Sequence, residues 1–89
     1  MAVVLLPSLL ATEAGGQRRF ELEAETVEDA LRALPIANLI FDDRGELRHL
    51  VNVYVDGVDV RDRGGIEMPL AGGETLRLVG AIAGGTGPT

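Results

Sequence analysis

Val51-Asn52-Val53-Tyr54-Val55-Asp56-Gly57-Val58-Asp59-Val60 alternates apolar residues on both sides of an Asp-Gly pair. Side chains two apart share one face of a strand, and an Asp-Gly linker suits the primed turns that match strand twist. The segment therefore predicts a tight β-hairpin. Downstream, Arg63-Gly64-Gly65 ends it, Ile66 to Leu70 forms a short connector, and Ala71-Gly72-Gly73-Glu74 makes another turn. A β-rich run from Thr75 to Ala83 follows. It places Leu76 and Leu78 on one face and Arg77 and Val79 on the other.

Upstream of the hairpin the period changes. Val27, Ala30, Leu31 and Leu34 fall at helical spacing and form one apolar stripe. Thr26 can cap the start, Asp29 sits where a capping box needs its acid, and Pro35 stops the helix at Leu34. Ile36 to Glu46 is expected to close the core as a short turn of helix or an irregular loop, before the polar turn Asp42-Asp43-Arg44-Gly45. Ala2 to Leu6 predicts a strand buried on at least one face, and Gly15-Gly16 marks a turn. Gln17 to Glu25 then alternates, with Phe20, Leu22 and Ala24 opposite Arg19, Glu21 and Glu23. These first two strands are expected to form a hairpin. Two hairpins separated by one helix give an α+β fold with the helix packed across a sheet.

At 89 residues this is one small domain with one core. Apolar residues make up 46% and aromatics only 3%, so that core is aliphatic. A net charge of −6 argues against nucleic acid and anionic membrane surfaces. The acids at Glu21, Glu23, Glu25, Glu28 and Asp29 form a solvated face. The start of the chain lacks the positive leader of a signal peptide, and Pro7 interrupts its apolar run. With no stretch of transmembrane length, a cytoplasmic protein is expected.

Without cysteine there is no disulfide, thiolate metal site or thiol nucleophile. His49 is the sole histidine and Ser8 the sole serine, and neither has evident support for a nucleophile pair. Asp56, Asp59 and Asp62 have the wrong spacing for a calcium loop and suit turns and surface. Gly80 to Thr86 lacks the lysine and following helix of a phosphate loop. Neither a resident metal nor an enzymatic activity is expected.

The end of the chain has a different character. Ala81-Ile82-Ala83-Gly84-Gly85-Thr86-Gly87-Pro88-Thr89 continues the last strand straight into a glycine pair. Two residues without Cβ can thread a narrow tunnel and adopt backbone angles closed to others. Such a terminus suits handling by another protein's active site.

The element order, with Val51 to Arg61, Leu70-Ala71-Gly72-Gly73-Glu74-Thr75-Leu76 and Ala81 to Gly85, resembles the β-grasp, ubiquitin-like sulfur carriers of the ThiS/MoaD type. The nearest likeness is to carriers for cysteine or natural-product sulfur transfer. The resemblance implies a mixed sheet of about five strands with one main helix across it. It also implies that a ubiquitin-activating-type enzyme uses ATP to adenylate the terminal glycine. A sulfur donor then makes a thiocarboxylate, which passes sulfur to an acceptor synthase. Gly85 becomes the covalent attachment point, with Ala83 and Gly84 as the recognised tail.

This chain departs from the simple pattern, because Thr86-Gly87-Pro88-Thr89 ties up the Gly85 carboxyl in an amide. The resemblance then implies a carrier domain at 1–85 and an extension at 86–89. A zinc-dependent JAMM-type peptidase would remove that extension between Gly85 and Thr86. The stretch between helix and third strand is also shorter than in many relatives. Docking is expected on the exposed face of the last strand, through Arg77, Val79, Ala81 and Ile82. Tyr54 is either an aromatic anchor there or a cross-strand packing partner. Two other uses share the fold: a modifier joined through Gly85 to lysines of other proteins, and a plain interaction module.

Overall fold

In the computed structural model, which describes residues 1–49 and 51–80, the expected hairpin forms. Asp56 and Gly57 both take positive φ, 50° and 89°, the backbone signature of a type I′ turn. Strand β3 spans Val51–Val55 and β4 only Val58–Asp59. The sequence reading carried β4 on to Val60. That residue instead opens a 3₁₀ turn, Val60–Arg63, because the Asp59 carboxylate accepts the Arg61 amide at 2.9 Å and curls the chain away.

Three more strands complete the sheet: β1 (Ala2–Leu5), β2 (Arg19–Leu22) and β5 (Thr75–Gly80). The order is β2-β1-β5-β3-β4. β1 and β5 run parallel and the remaining pairs antiparallel, so the sheet is mixed.

The first two strands pair as expected, yet their connection is not a tight turn. It holds a helix, α1 (Ser8–Glu13), that the sequence reading missed. Pro7 sits at its N-cap with φ −71°; lacking an amide hydrogen, it leaves no donor unsatisfied there. Leu10 and Ala11 are buried, so tertiary contact rather than periodicity over six residues stabilises the helix.

The main helix, α2, spans Val27–Arg32. Thr26 caps it as expected, its hydroxyl accepting the Asp29 amide at 3.1 Å. The connector supplies the next acceptors: Met68 O takes the Val27 amide and Ile66 O the Glu28 amide, at 3.1 and 2.8 Å. Val27, Ala30 and Leu31 have no exposed surface, and Leu34 is buried just beyond the helix. One further helical turn, α3 (Ala37–Ile40), resolves the ambiguous segment in favour of helix.

The core lies between these helices and one face of the sheet. Val4, Leu76 and Val55 are neighbours in register on β1, β5 and β3, and none is exposed.

Two carboxylates tie loops together. Glu74 accepts the Ala71 and Gly72 amides, both at 2.8 Å, and these bonds hold its carboxyl below the usual range. Asp42 is lowered in the same way by the Glu46 and Arg44 amides. A lowered carboxylate stabilises the fold above its unfolded pKa, and that contribution is lost as pH falls through the folded value. Glu74→Gln should therefore weaken the fold at neutral pH. It should also flatten the loss of stability as pH falls below about 4.5, read by urea unfolding across pH.

Candidate functional site

β5 is the central strand, bonded to β1 on one side and β3 on the other. Its last described residue, Gly80, pairs with Val51 at the start of β3. Gly85 is five residues further along the chain. Fully extended, those residues carry its carbonyl at most about 18 Å from the end of the sheet. The assignments to Ala81, Ile82, Ala83, Gly84, Gly85 and Thr86 all lie outside the described residues.

The face of the sheet turned away from the helices is the surface beside that exit. The period of two places Arg77 and Val79 there, opposite buried Leu76 and Leu78, as the sequence predicts. Register then shows what sequence could not. Arg19, Leu5, Arg77, Tyr54 and Asp59 stand side by side on five consecutive strands. Val3 and Thr75 make a parallel row, and Asn52 pairs with Val79. Val79 is 41% exposed, one of few large apolar side chains so open to solvent.

Tyr54 is half-buried and directly opposite Arg77, the cross-strand position. Together with Asp56, Gly57, Thr75 and Val79 the pair lines a shallow depression of about 430 Å³. Its edge is fixed by a reciprocal clasp. The Asp56 amide donates to Thr75 O at 2.9 Å, and the Thr75 amide donates to the Asp56 carboxylate at 3.0 Å. Arg19 is held by Glu21, whereas Arg77 forms no ion pair among the described residues.

Val3 and Leu5 were not singled out from sequence. The run Val3-Val4-Leu5-Leu6 has no polar alternation to say which residues face outward. An apolar groove of about 680 Å³ on the helical side was missed with α1; Leu9, Leu10, Leu39 and Val51 line it, with Arg48 and His49 at the rim. His49 is exposed, as expected.

The described face offers no assembled nucleophile and base. It offers a half-buried tyrosine, an exposed Val79 and, in Arg77, a cation with no ion pair among the described residues. A small β-grasp domain with such a face, whose central strand leads to a glycine pair, defines the class of ubiquitin-like carriers.

Comparison narrows the class. No family model matches the chain. The sulfur carrier protein CysO of Mycobacterium tuberculosis is 30% identical over 89 residues, covering 92% of this chain and 96% of its own. The chain belongs to this family of sulfur carrier proteins. Solved structures agree. M. tuberculosis CysO gives a TM-score of 0.82 at 27% identity, covering 91% of this chain and 99% of that one. A chain of the BexX/CysO complex from Amycolatopsis orientalis gives 0.79 at 31%, covering 94% and 99%. SAMP1 of Haloferax volcanii gives 0.72 at 30%, covering 93% and 97%. No helix among the described residues is long and apolar enough to cross a membrane.

Proposed function

We propose that the protein carries sulfur on Gly85, as a substrate of other enzymes rather than an enzyme itself. The observation that carries this reading is the central strand of a CysO-family fold leading, five residues past Gly80, to Gly84-Gly85. A peptidase of the zinc-dependent JAMM type removes residues 86–89. A ubiquitin-activating-type enzyme then adenylates the freed carboxylate with ATP. Adenylation supplies the leaving group a carboxylate lacks, and a sulfur donor displaces AMP to leave a thiocarboxylate. A synthase takes that sulfur. The A. orientalis BexX/CysO complex supports a carrier that binds a partner protein.

Intact-mass spectrometry tests the sequence of events. Incubation with the peptidase, the activating enzyme, ATP and sulfide should first remove the last four residues. A gain of about 16 mass units should follow, one oxygen exchanged for sulfur. An unchanged C-terminus would defeat the proposal. Likeness to SAMP1, a small archaeal modifier protein, keeps a second use in view; isopeptide adducts on other proteins would reveal it.

The open face should govern affinity. Val79→Glu places a charge at the exposed apolar side chain beside Tyr54 and Arg77 and should weaken binding of the activating enzyme about tenfold or more. Folding stability should change by less than about 0.5 kcal/mol, since Val79 is already exposed. Calorimetric titration and urea unfolding separate the two effects.

A further inference from the structure

All eight Lys-plus-Arg positions in these 89 residues are arginine, and there is no cysteine. For a protein that carries an activated acyl group, this composition has a chemical consequence. Transfer to an amine needs a free nitrogen lone pair. The C–N bond forms, the bond from the Gly85 carbonyl carbon to its leaving group breaks with its electron pair, and the amine proton passes to water. A guanidinium stays protonated at physiological pH and cannot do this. Hydroxyls need a neighbouring base, and none among the described residues donates to a histidine or carboxylate. His49 could be acylated, but water returns an acyl-imidazole to the acid.

An α-amine at Met1 would be kept away by topology. β1 and β5 are parallel, with Val3 beside Thr75, so Met1 lies at the end of β5 opposite the exit at Gly80. Its nitrogen is beside the Ala71–Gly73 turn, 3.6 Å from where a Cβ on Gly72 would stand. From Gly80 back to the level of Met1 is about 23 Å along the sheet. The stretch from Gly80 to Gly85 spans at most about 18 Å.

We infer that the chain excludes its own side chains as acceptors, so that an activated Gly85 is discharged only onto an external nucleophile. Resting on the carrier reading, the inference deepens it by fixing where the acyl group can go. Lysine-linked polymers through these residues cannot form, nor can cyclisation onto an α-amine at Met1. The arginines nearest the exit show where protection counts. Arg48 O accepts the Val51 amide at 3.1 Å, next to the Val51–Gly80 pair, and Arg77 is three residues before Gly80. A lysine at position 48 would stand within reach of the tail.

The test uses residues 1–85 with Gly85 as an aryl thioester, made chemically; every described element lies within residues 1–80. At about 20 μM and pH 8, wild type should give only the hydrolysed acid. Arg48→Lys should give a cyclic amide, one water lighter than the acid. A tethered amine at an effective concentration of about 1 mM should outrun intermolecular reaction roughly fifty-fold. Added cysteine, which must be acylated in both, shows that each thioester is live. Amide-linked dimers or cyclised product from wild type would overturn the inference. So would an Arg48→Lys protein that acylates cysteine yet never cyclises or dimerises. Because the thioester bypasses both enzymes, these outcomes are independent of whether Gly85 is charged enzymatically. A failed carrier reading shows instead as no thiocarboxylate in the enzymatic assay.

Discussion

Gly85→Ala in the trimmed protein is expected to lower thiocarboxylate formation about a hundredfold, with folding unchanged. The added methyl sits next to the carbonyl that must meet the nucleotide. A shift of about 1 Å in a reacting group commonly costs that much rate. Glycine also opens backbone angles that alanine enters only with strain. The loss is expected in charging and not in stability. Thiocarboxylate yield by intact mass, beside a urea unfolding curve, distinguishes the two. An untrimmed chain should give no product, because its Gly85 carbonyl is already an amide. Wild-type yield from the alanine variant would remove Gly85 from the role assigned to it.

Leu76→Ala should be among the most damaging changes to the fold. Leu76 has no exposed surface and stands between Val4 and Val55, equally buried, in the central row of the sheet. Truncating a buried leucine costs about 2–5 kcal/mol, the spread reflecting how far neighbours close the cavity. A small domain has only about 5–15 kcal/mol in total. For a chain of this size each kcal/mol moves the melting temperature about 4–8 °C, so a drop of at least about 8 °C is expected. Arg77→Ala, one residue away but exposed, should leave stability within about 0.5 kcal/mol. A loss below about 1 kcal/mol for Leu76→Ala would mean the core is not organised around this row.

The parts legible in the sequence are those in which a few neighbouring residues dictate their own geometry. Asp56-Gly57 specifies a turn that needs two positive φ values. Thr26 with Asp29 specifies a cap closed over three residues. The period of two set by Leu76, Arg77 and Leu78 specifies which side chains are buried. Of the missed features, one depends on distant contacts and the other on a single side-chain bond that periodicity does not register. Ser8–Glu13 is too short to announce itself by periodicity and exists because Leu10 and Ala11 find a core. Val60 leaves its strand because of one carboxylate–amide bond.

The same division holds for the candidate site. Local sequence alone determined the glycine pair and the outward parity of Arg77 and Val79. Only the tertiary structure set β5 between β1 and β3, brought Leu5, Arg77 and Tyr54 into one row, and sent Met1 to the far end of the sheet. The physical reason is that alternation along a strand fixes which face a side chain takes, whereas its neighbour across the ladder is chosen by hydrogen bonds between segments some seventy residues apart.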